Sequence, residues 1–355
     1  MEILLNKEDK LKLDKLIETK DINIAIADML LTSFHYEDLI NVKEYNRLVK
    51  EECLSSEAAI IRLMLEALEI DIDNEENEEI INTYFKNISL LDTREYENNP
   101  YVLKVKPKEC KFGKYEIKYM SYKPYQLFPS DEITIEDEDY KEISSIGYFK
   151  KEYKYISILE NNTVWMSLNP NEINTMKEDV NKAKGHVLTF GLGLGYFPFM
   201  CSLKEDVNKI TIIEKDKNII NIFKKHLLPF FPYKEKIEII EADAFDFMKK
   251  QYSNKYNYVF VDIWHTPNDG AMSYLKFKEF EKQYNTTFNY WLEPSLKQNI
   301  RRALITILQE YYEGFDESNY KVSETDYDLL INHLYKQIKN KKINTYKEID
   351  SLINI

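Results

Sequence analysis

Glycine is scarce in this chain: the 355 residues contain only 8 glycines. Three of them, Gly191, Gly193 and Gly195, nonetheless fall within five positions of one another, in the segment VLTFGLGLGYFPFM that begins at Val187. Because glycine is so rare elsewhere, this cluster marks a place where the backbone needs freedom from a Cβ atom. The rest of the sequence indicates whether this bare backbone is needed for a ligand or for a packing contact.

Cysteine is also rare, and long hydrophobic runs are absent from the sequence. Cys53, Cys110 and Cys201 are widely spaced and none belongs to a CxxC pair, so neither a metal site nor a disulfide framework is indicated. The amino terminus lacks the apolar core of a signal peptide, and no apolar run approaches the roughly 20 residues that cross a bilayer. We therefore expect a cytoplasmic protein with reduced cysteines and no membrane partner.

Positive charge is in deficit: 48 lysines and arginines face 61 aspartates and glutamates, which gives a formal net charge of -13. Such a balance disfavours nucleic acid and anionic membranes as partners, because both are bound through cationic side chains. No cluster of basic and aromatic residues of the kind that stacks single strands is visible in the sequence either. We expect no nucleic-acid partner.

The pattern of apolar residues changes along the chain. From residue 8 to about 90 they recur at steps of three and four, which predicts helices. From 100 to 168 the pattern favours strands, with YVLKVK as the first and Asn161-Asn162 as a hairpin turn. We predict four segments: a helical N-terminal domain (1–98), a small β-rich region (99–168), a Rossmann-like domain (169–320) and a C-terminal helical tail (321–355).

Beyond residue 170, short apolar strands alternate with helices. This alternation predicts a parallel sheet with crossover helices, that is, an α/β fold with a doubly wound, Rossmann-like sheet. The predicted strands are 186–190, 209–214, 237–240 and 257–262, and the predicted helices are 171–183, 196–204, 216–227, 244–252, 271–283 and 294–313.

The glycine cluster directly follows the first of these strands, between Phe190 and a helix that starts near Tyr196. Open α/β sheets bind nucleotide-like ligands where a strand ends and a helix begins, because backbone N–H groups meet there. Tyr196 stands where the dinucleotide motif GxGxxG needs its third glycine, and no Lys-Ser or Lys-Thr pair follows, so that motif and the phosphate loop are excluded. A ligand without a pyrophosphate and a structural packing turn both remain open.

Two acidic residues follow the next two strands. Glu214 ends KITIIE, where a carboxylate can accept hydrogen bonds from both hydroxyls of a ribose. Asp243 follows IEII, where its carboxylate, beside the backbone N–H of Ala244, could receive an adenine amino group. Either acid alone is ordinary in a loop, but acids at successive strand ends beside a glycine loop indicate an adenosyl site.

Taken together, GLGLG, IIEKD, EADAFDFM and VFVDIWH resemble the class I S-adenosylmethionine-dependent methyltransferases, and within them the spermidine synthase-like branch. The resemblance covers about residues 165 to 285. It implies S-adenosylmethionine, or its decarboxylated form, as the cofactor. It also implies cofactor-binding roles for the loop and the strand-end acids: Gly191, Gly193 and Gly195 on the methionine and ribose side, Glu214 at the ribose, and Asp243 with Ala244 at the adenine.

The sequence departs from the resembled pattern in the loop and after the fourth strand. Phe190 replaces an acidic residue that many methyltransferases carry, and Leu194 replaces an aspartate of the spermidine synthase loop. In that branch, two acids after the fourth strand grip and deprotonate a polyamine; here Asp262 keeps the first and His265 replaces the second. Because one anchoring carboxylate is missing, we expect methyl transfer rather than aminopropyl transfer.

The segment DIWH carries the catalytic candidates. Asp262 could orient or deprotonate an attacking amine or hydroxyl, His265 could act as a general base near neutral pH, and Trp264 could stack on a planar substrate. Structural roles stay open for each of them: a turn cap, an ordinary loop histidine and a packed tryptophan. The stretch from Trp165 to Met176, before the sheet, is a candidate to border the pocket. Within it, Asn169 and Glu172 are candidates for this role, or else form a helix cap with its first-turn acid.

We therefore predict an S-adenosylmethionine-dependent methyltransferase that acts on a small-molecule or protein acceptor. Two alternatives stay open: an aminopropyltransferase of the spermidine synthase type, and a non-catalytic domain that binds S-adenosylmethionine as a sensor or scaffold. The sequence is also compatible with a homodimer.

Overall fold

The computed structural model describes residues 1–71, 74–250, 252, 255–314 and 325–355. The amino-terminal part is helical, as the periodicity predicts. Its first three helices begin at capping side chains, since Asn6, Asn41 and Ser55 each accept a backbone N–H from the first turn. The helices are α1 (Lys7–Phe34), α2 (Val42–Lys50), α3 (Ser56–Ala67) and α4 (Glu75–Tyr84).

Short strands dominate the next segment. The predicted hairpin turn at Asn161 and Asn162 is confirmed, and both residues have positive φ. The predicted strand at YVLKVK is wrong, because Asn99 caps a helical turn there and Pro100 suits its first position. The elements are β2 (Ile88–Leu90), α5 (Thr93–Glu97), α6 (Pro100–Lys104), β3 (Cys110–Phe112), β4 (Tyr115–Tyr122), β5 (Leu127–Pro129), β6 (Thr134–Ile135), β7 (Glu142–Ile143), β8 (Ile146–Tyr148), β9 (Tyr153–Glu160) and β10 (Thr163–Ser167).

The longest of these strands form an antiparallel sheet in the order β10-β9-β4-β3. Strands β4 and β9 pair along their full lengths. The pairing of β10 with β9 shifts between Val164 and Met166, so that Trp165 is an extra, bulged residue. A bulge of this kind re-aims the neighbouring side chains, which matters for the site described below.

A five-stranded parallel sheet follows, in the order β13-β12-β11-β14-β15. Its strands are β11 (Gly185–Phe190), β12 (Val207–Glu214), β13 (Ile237–Glu241), β14 (Tyr258–Val261) and β15 (Phe288–Tyr290). The connecting helices are α7 (Pro170–Thr175), α8 (Lys177–Lys182), α9 (Tyr196–Ser202), α10 (Lys217–Ile222), α11 (Ala244–Lys250), α12 (Pro267–Glu281) and α13 (Glu293–Tyr312). The predicted fold class is confirmed: an α/β protein with a doubly wound sheet, preceded by a helical region and a β-rich segment.

Some elements differ from those that the sequence predicts. The predicted helix 171–183 is broken at Met176 into α7 and α8. The fifth strand, β15, has only three residues, too few for its alternation to mark a strand in the sequence. Residue 251, near the end of predicted helix 244–252, and residues 315–324, which contain the predicted boundary at 320/321, lie outside the described residues.

The two ends of the chain meet. Strand β1 (Glu2–Ile3) pairs in parallel with β16 (Lys342–Ile343), and α1 packs on α13 and α15 (Tyr346–Ile353). Helix α14 (Asp326–Ile338) packs on α12 and α13. The predicted division into four segments stays a prediction. Each helix in the described part of the chain is too short or too polar to cross a membrane.

Candidate functional site

A cavity of 390 Å³ opens at the carboxyl ends of β11, β12, β13 and β14. The strand order reverses between β11 and β14, and ligands of open α/β sheets bind at such a point. Gly195 lines a neighbouring chamber of 20 Å³ instead. The other predicted site residues all line the large cavity: Gly191, Gly193, Glu214, Asp243, Ala244, Asp262, Trp264 and His265.

All three loop glycines have positive φ, but their neighbours differ. A Cβ on Gly191 would lie 1.8 Å from the backbone oxygen of Asp262, and one on Gly195 would lie 2.3 Å from the ring of Phe223. These two glycines are therefore required by close packing of the loop against the protein itself. A Cβ on Gly193 would lie 2.1 Å from Sδ of Met166, a flexible side chain that lines the cavity.

Glu214 holds the glycine loop from the end of β12. Its carboxylate accepts hydrogen bonds from the backbone N–H groups of Leu192, at 3.2 Å, and Asp216, at 2.7 Å. Burial raises the pKa of Glu214, although these backbone hydrogen bonds oppose the shift. Because a carboxylate has about four acceptor positions, the two bonds leave room for ribose hydroxyls.

Asp243 caps a helix as well as lining the cavity. Its Oδ1 accepts the backbone N–H groups of Phe245, at 2.9 Å, and Asp246, at 3.0 Å, in the first turn of α11. Oδ2 forms no hydrogen bond with a described residue. The cap therefore fixes the carboxylate beside the buried Ala244 and leaves one oxygen for a ligand donor such as an adenine amino group.

Two carboxylates in the cavity lack hydrogen-bond partners among the described residues, those of Glu172 and Asp262. Burial raises the pKa of Asp262 to about 7, and the charge of Glu214 adds to the shift. Burial also raises the pKa of Glu172 well above its ordinary value, and the charge of Asp262 adds to that shift. An isolated carboxylate in such surroundings attracts either a proton or a cation.

The other acids of the cavity have their own partners. Glu160 forms an ion pair with Lys114, and Asp216 accepts the hydroxyl of Tyr115 at 2.7 Å. Among the described residues, the carboxylates of the cavity that lack a partner are thus those of Glu172 and Asp262.

Glu172 places a second carboxylate in the cavity that contains Asp262. It lies in the first turn of α7, where Asn169 is the N-cap and accepts the Glu172 backbone N–H at 3.1 Å. Asn169 is thus the helix cap, and Glu172, the acid of the first turn, lines the cavity. The turn after β14 is capped by Asp269, which accepts N–H groups of His265 and Thr266, so that cap does not occupy the carboxylate of Asp262.

Aromatic rings form much of the remaining wall. All three tryptophans of the chain line the cavity: Trp165, Trp264 and Trp291. Trp264 is 5% exposed, packs on Gly270, and its buried Nε1 has no partner among the described residues. The exposed ring of His265 lies edge-on to Trp165, with centroids 5.6 Å apart. His265 therefore lies at the mouth, and its role as a base stays a prediction.

The antiparallel sheet contributes more of the cavity wall than the sequence indicated. Tyr115 from β4, Glu160 from β9, and Trp165 and Met166 from β10 all line the cavity. The stretch from Trp165 to Met176 was expected to border the pocket, and Trp165, Met166 and Glu172 do line the cavity, whereas Tyr115 and Glu160 were not foreseen. A bulge that turns Trp165 and Met166 inward leaves little trace in the alternation of apolar residues.

No model of a known protein family matches this chain, and neither does any curated protein. Solved structures match part of it. A putative O-methyltransferase from Klebsiella pneumoniae is 11% identical, with a TM-score of 0.27, over 47% of this chain and 66% of that one. Spermidine synthase from Thermotoga maritima is 15% identical, with a TM-score of 0.30, over 42% of this chain and 58% of that one. The chain spans less than two thirds of the length of either protein.

Proposed function

We propose that this protein is an S-adenosylmethionine-dependent methyltransferase. The observation that carries the proposal is a row of carboxylates and loop backbone groups along one edge of the parallel sheet. Asp243 follows β13, Glu214 ends β12, the glycine loop follows β11 and Asp262 follows β14, and these strands are neighbours in that order. An adenosyl group can therefore lie across the edge with adenine at Asp243 and ribose at Glu214. Its 5′ substituent then lies between the loop and Asp262.

The main contribution of the protein to this reaction is to position the acceptor against the methyl donor. When bound, the sulfonium supplies both the methyl group and a good leaving group. The cavity has to hold an acceptor lone pair in line with the methyl–sulfur bond, and such positioning provides much of the catalysis. Asp262 follows β14 beside the loop, where its carboxylate can take the proton that an amine or hydroxyl loses.

Calorimetric titration tests the donor. We expect S-adenosylmethionine to bind at micromolar concentration, and NAD to bind more weakly because the loop has no third glycine at Tyr196 and no pyrophosphate cradle. Tighter binding of NAD than of either the donor or its decarboxylated form would overturn the proposal. Binding of S-adenosylmethionine without transfer to any acceptor of a broad panel would favour the sensor or scaffold alternative.

The acceptor that suits the cavity best is a cationic amine. Glu172 and Asp262 present two carboxylates without partners, and Trp165, Trp264 and Trp291 present aromatic rings beside them. Carboxylates and aromatic faces both attract ammonium groups. The bound ammonium has to lose a proton before its nitrogen can attack, and a carboxylate with a pKa near neutrality can accept that proton.

Aminopropyl transfer is the second candidate, and Glu172 is the observation that favours it. Aminopropyl transfer was disfavoured because His265 replaces the second carboxylate after the fourth strand. Glu172, from α7, offers a second carboxylate in the same cavity. Mass spectrometry of the product distinguishes the two reactions. Incubation of amines with S-adenosylmethionine or its decarboxylated form should add either a methyl or an aminopropyl group.

Replacing Glu172 tests the amine assignment. We expect Glu172→Gln to weaken binding of an accepted amine by about ten- to hundredfold, because a charge-assisted hydrogen bond is lost. Affinity for S-adenosylhomocysteine should stay near the wild-type value. Glu178→Gln, which removes an exposed carboxylate from the adjacent helix α8, is the matched control. An equal loss for amine and nucleoside would show that Glu172 supports the cavity rather than binding the amine.

A further inference from the structure

Met166 lies directly on the glycine loop. Its Sδ accepts the backbone N–H of Leu194 at 3.1 Å, and it fills the space that a Cβ on Gly193 would occupy. Among the three glycines, only Gly193 is approached by a side chain of the cavity wall that can swing away; the others meet backbone and a buried ring. The space beside the Gly193 backbone is therefore filled by a side chain that can move.

The position of Met166 follows from the bulge in β10. Because Trp165 is the extra residue, both Trp165 and Met166 line the cavity instead of alternating across the sheet. Met166 also lines the 20 Å³ chamber, whose wall includes Glu172 and Gly195. The side chain thus stands between the large cavity and a smaller space next to the loop.

A ligand placed by the strand-end acids would reach this side chain. With adenine at Asp243 on β13 and ribose at Glu214 on β12, anything that extends from the 5′ position meets the loop after β11. The loop backbone at Gly193 and Leu194 is the surface that Met166 covers. A long 5′ substituent and Met166 cannot occupy it together.

We propose that Met166 is a displaceable placeholder that selects donors by their 5′ substituent, an inference that rests on the proposed function. Without ligand, its thioether satisfies Leu194 N–H. A donor with an amino-acid tail displaces the thioether and offers a carboxylate oxygen to that N–H. A nucleoside that ends at a short thioether leaves Met166 in place.

The chemistry of the two acceptors makes this exchange favourable. A thioether sulfur is a weak acceptor and a carboxylate oxygen is a strong one. Leu194 is 1% exposed, so its N–H would be left unsatisfied if Met166 moved and nothing replaced it. Methionine has three rotatable bonds and repacks easily, which suits a side chain that moves on binding.

Calorimetry with two nucleosides tests the selection. We expect Met166→Ala to strengthen binding of S-adenosylhomocysteine by about tenfold, because no side chain has to be displaced. Binding of 5′-methylthioadenosine, which has no tail, should change by less than about twofold. Met166→Leu keeps the bulk but loses the acceptor, so its gain for the tailed ligand should be smaller than that of Met166→Ala. Met120→Ala, in β4 of the same sheet and away from the cavity, is the control.

Hydrogen exchange gives a readout that needs no ligand. The Leu194 amide should exchange about tenfold faster in both Met166→Ala and Met166→Leu, since both lack the sulfur acceptor. Unchanged exchange, or an equal gain for both nucleosides in Met166→Ala, would overturn the placeholder role. If neither nucleoside binds the wild type while exchange responds as expected, the adenosyl proposal has failed and the contact alone is established.

Discussion

Asp262→Asn should slow group transfer by about 10²- to 10⁴-fold while making the folded protein more stable at alkaline pH. The rate falls because asparagine cannot accept the proton that the attacking amine loses. The gain in stability arises because the wild-type protein has to bury a carboxylate that forms no hydrogen bond with a described residue. A stabilising substitution that removes activity is typical of a functional residue rather than a structural one.

The sign of the stability effect follows from the pKa. Burial raises the pKa of Asp262 from 3.8 to about 7, so the folded state binds this proton more tightly than the unfolded state. Its favourable contribution is complete below pH 4 and is lost as the pH rises through 7. The advantage of Asp262→Asn over wild type should therefore grow between pH 4 and 7 and level off above pH 7.

Urea unfolding at several pH values and single-turnover transfer rates measure the two effects. Wild-type rates should rise with pH through neutrality as Asp262 loses its proton, and that rise should be absent from the residual activity of the variant. Asp206→Asn, at an exposed position, is the control for a charge change alone. A variant that is destabilised at pH 8 would show that Asp262 has a structural partner and would contradict the proposed role.

The fold was predictable from sequence because it depends on local patterns. Buried parallel strands such as β11 and β12 are short apolar runs, and the helices between them carry their own periodicity. The strand-end acids Glu214 and Asp243 were predictable for the same reason, since the end of a strand fixes where they lie. Strand β15 was not predicted because three residues are too few to show such a pattern.

The rest of the site depends on contacts between distant segments. Glu172 and Asp262, which are 90 positions apart in the sequence, line the same cavity, and Met166 contacts Leu194 across 28 positions. No spacing rule connects such residues, because their meeting depends on how the antiparallel sheet and α7 pack beside the glycine loop. The clustering of the glycines was visible in the sequence. Only the structure shows that Gly191 and Gly195 are needed for packing, whereas Gly193 faces the movable side chain of Met166.

Glu214→Ala should weaken binding of S-adenosylhomocysteine by about a hundredfold, because two charge-assisted hydrogen bonds to the ribose are lost. This substitution also removes the acceptor of Leu192 N–H, so a loss of affinity alone could come from a disturbed loop. The 2′-deoxy form of the ligand separates the two causes. Wild type should bind it about tenfold more weakly than the parent, since one hydroxyl is missing.

In Glu214→Ala, the parent and 2′-deoxy ligands should instead bind equally, because the carboxylate that reads the hydroxyl is gone. Glu214→Gln keeps the size of the side chain and one acceptor oxygen, so we expect an intermediate loss. Its thermal unfolding should stay close to that of wild type if the loop is intact. A tenfold preference for the parent ligand that survives in Glu214→Ala would place the ribose elsewhere. The glycine loop would then not border the adenosyl site, because Glu214 is the residue that connects the loop, through Leu192 N–H, to the proposed ribose position.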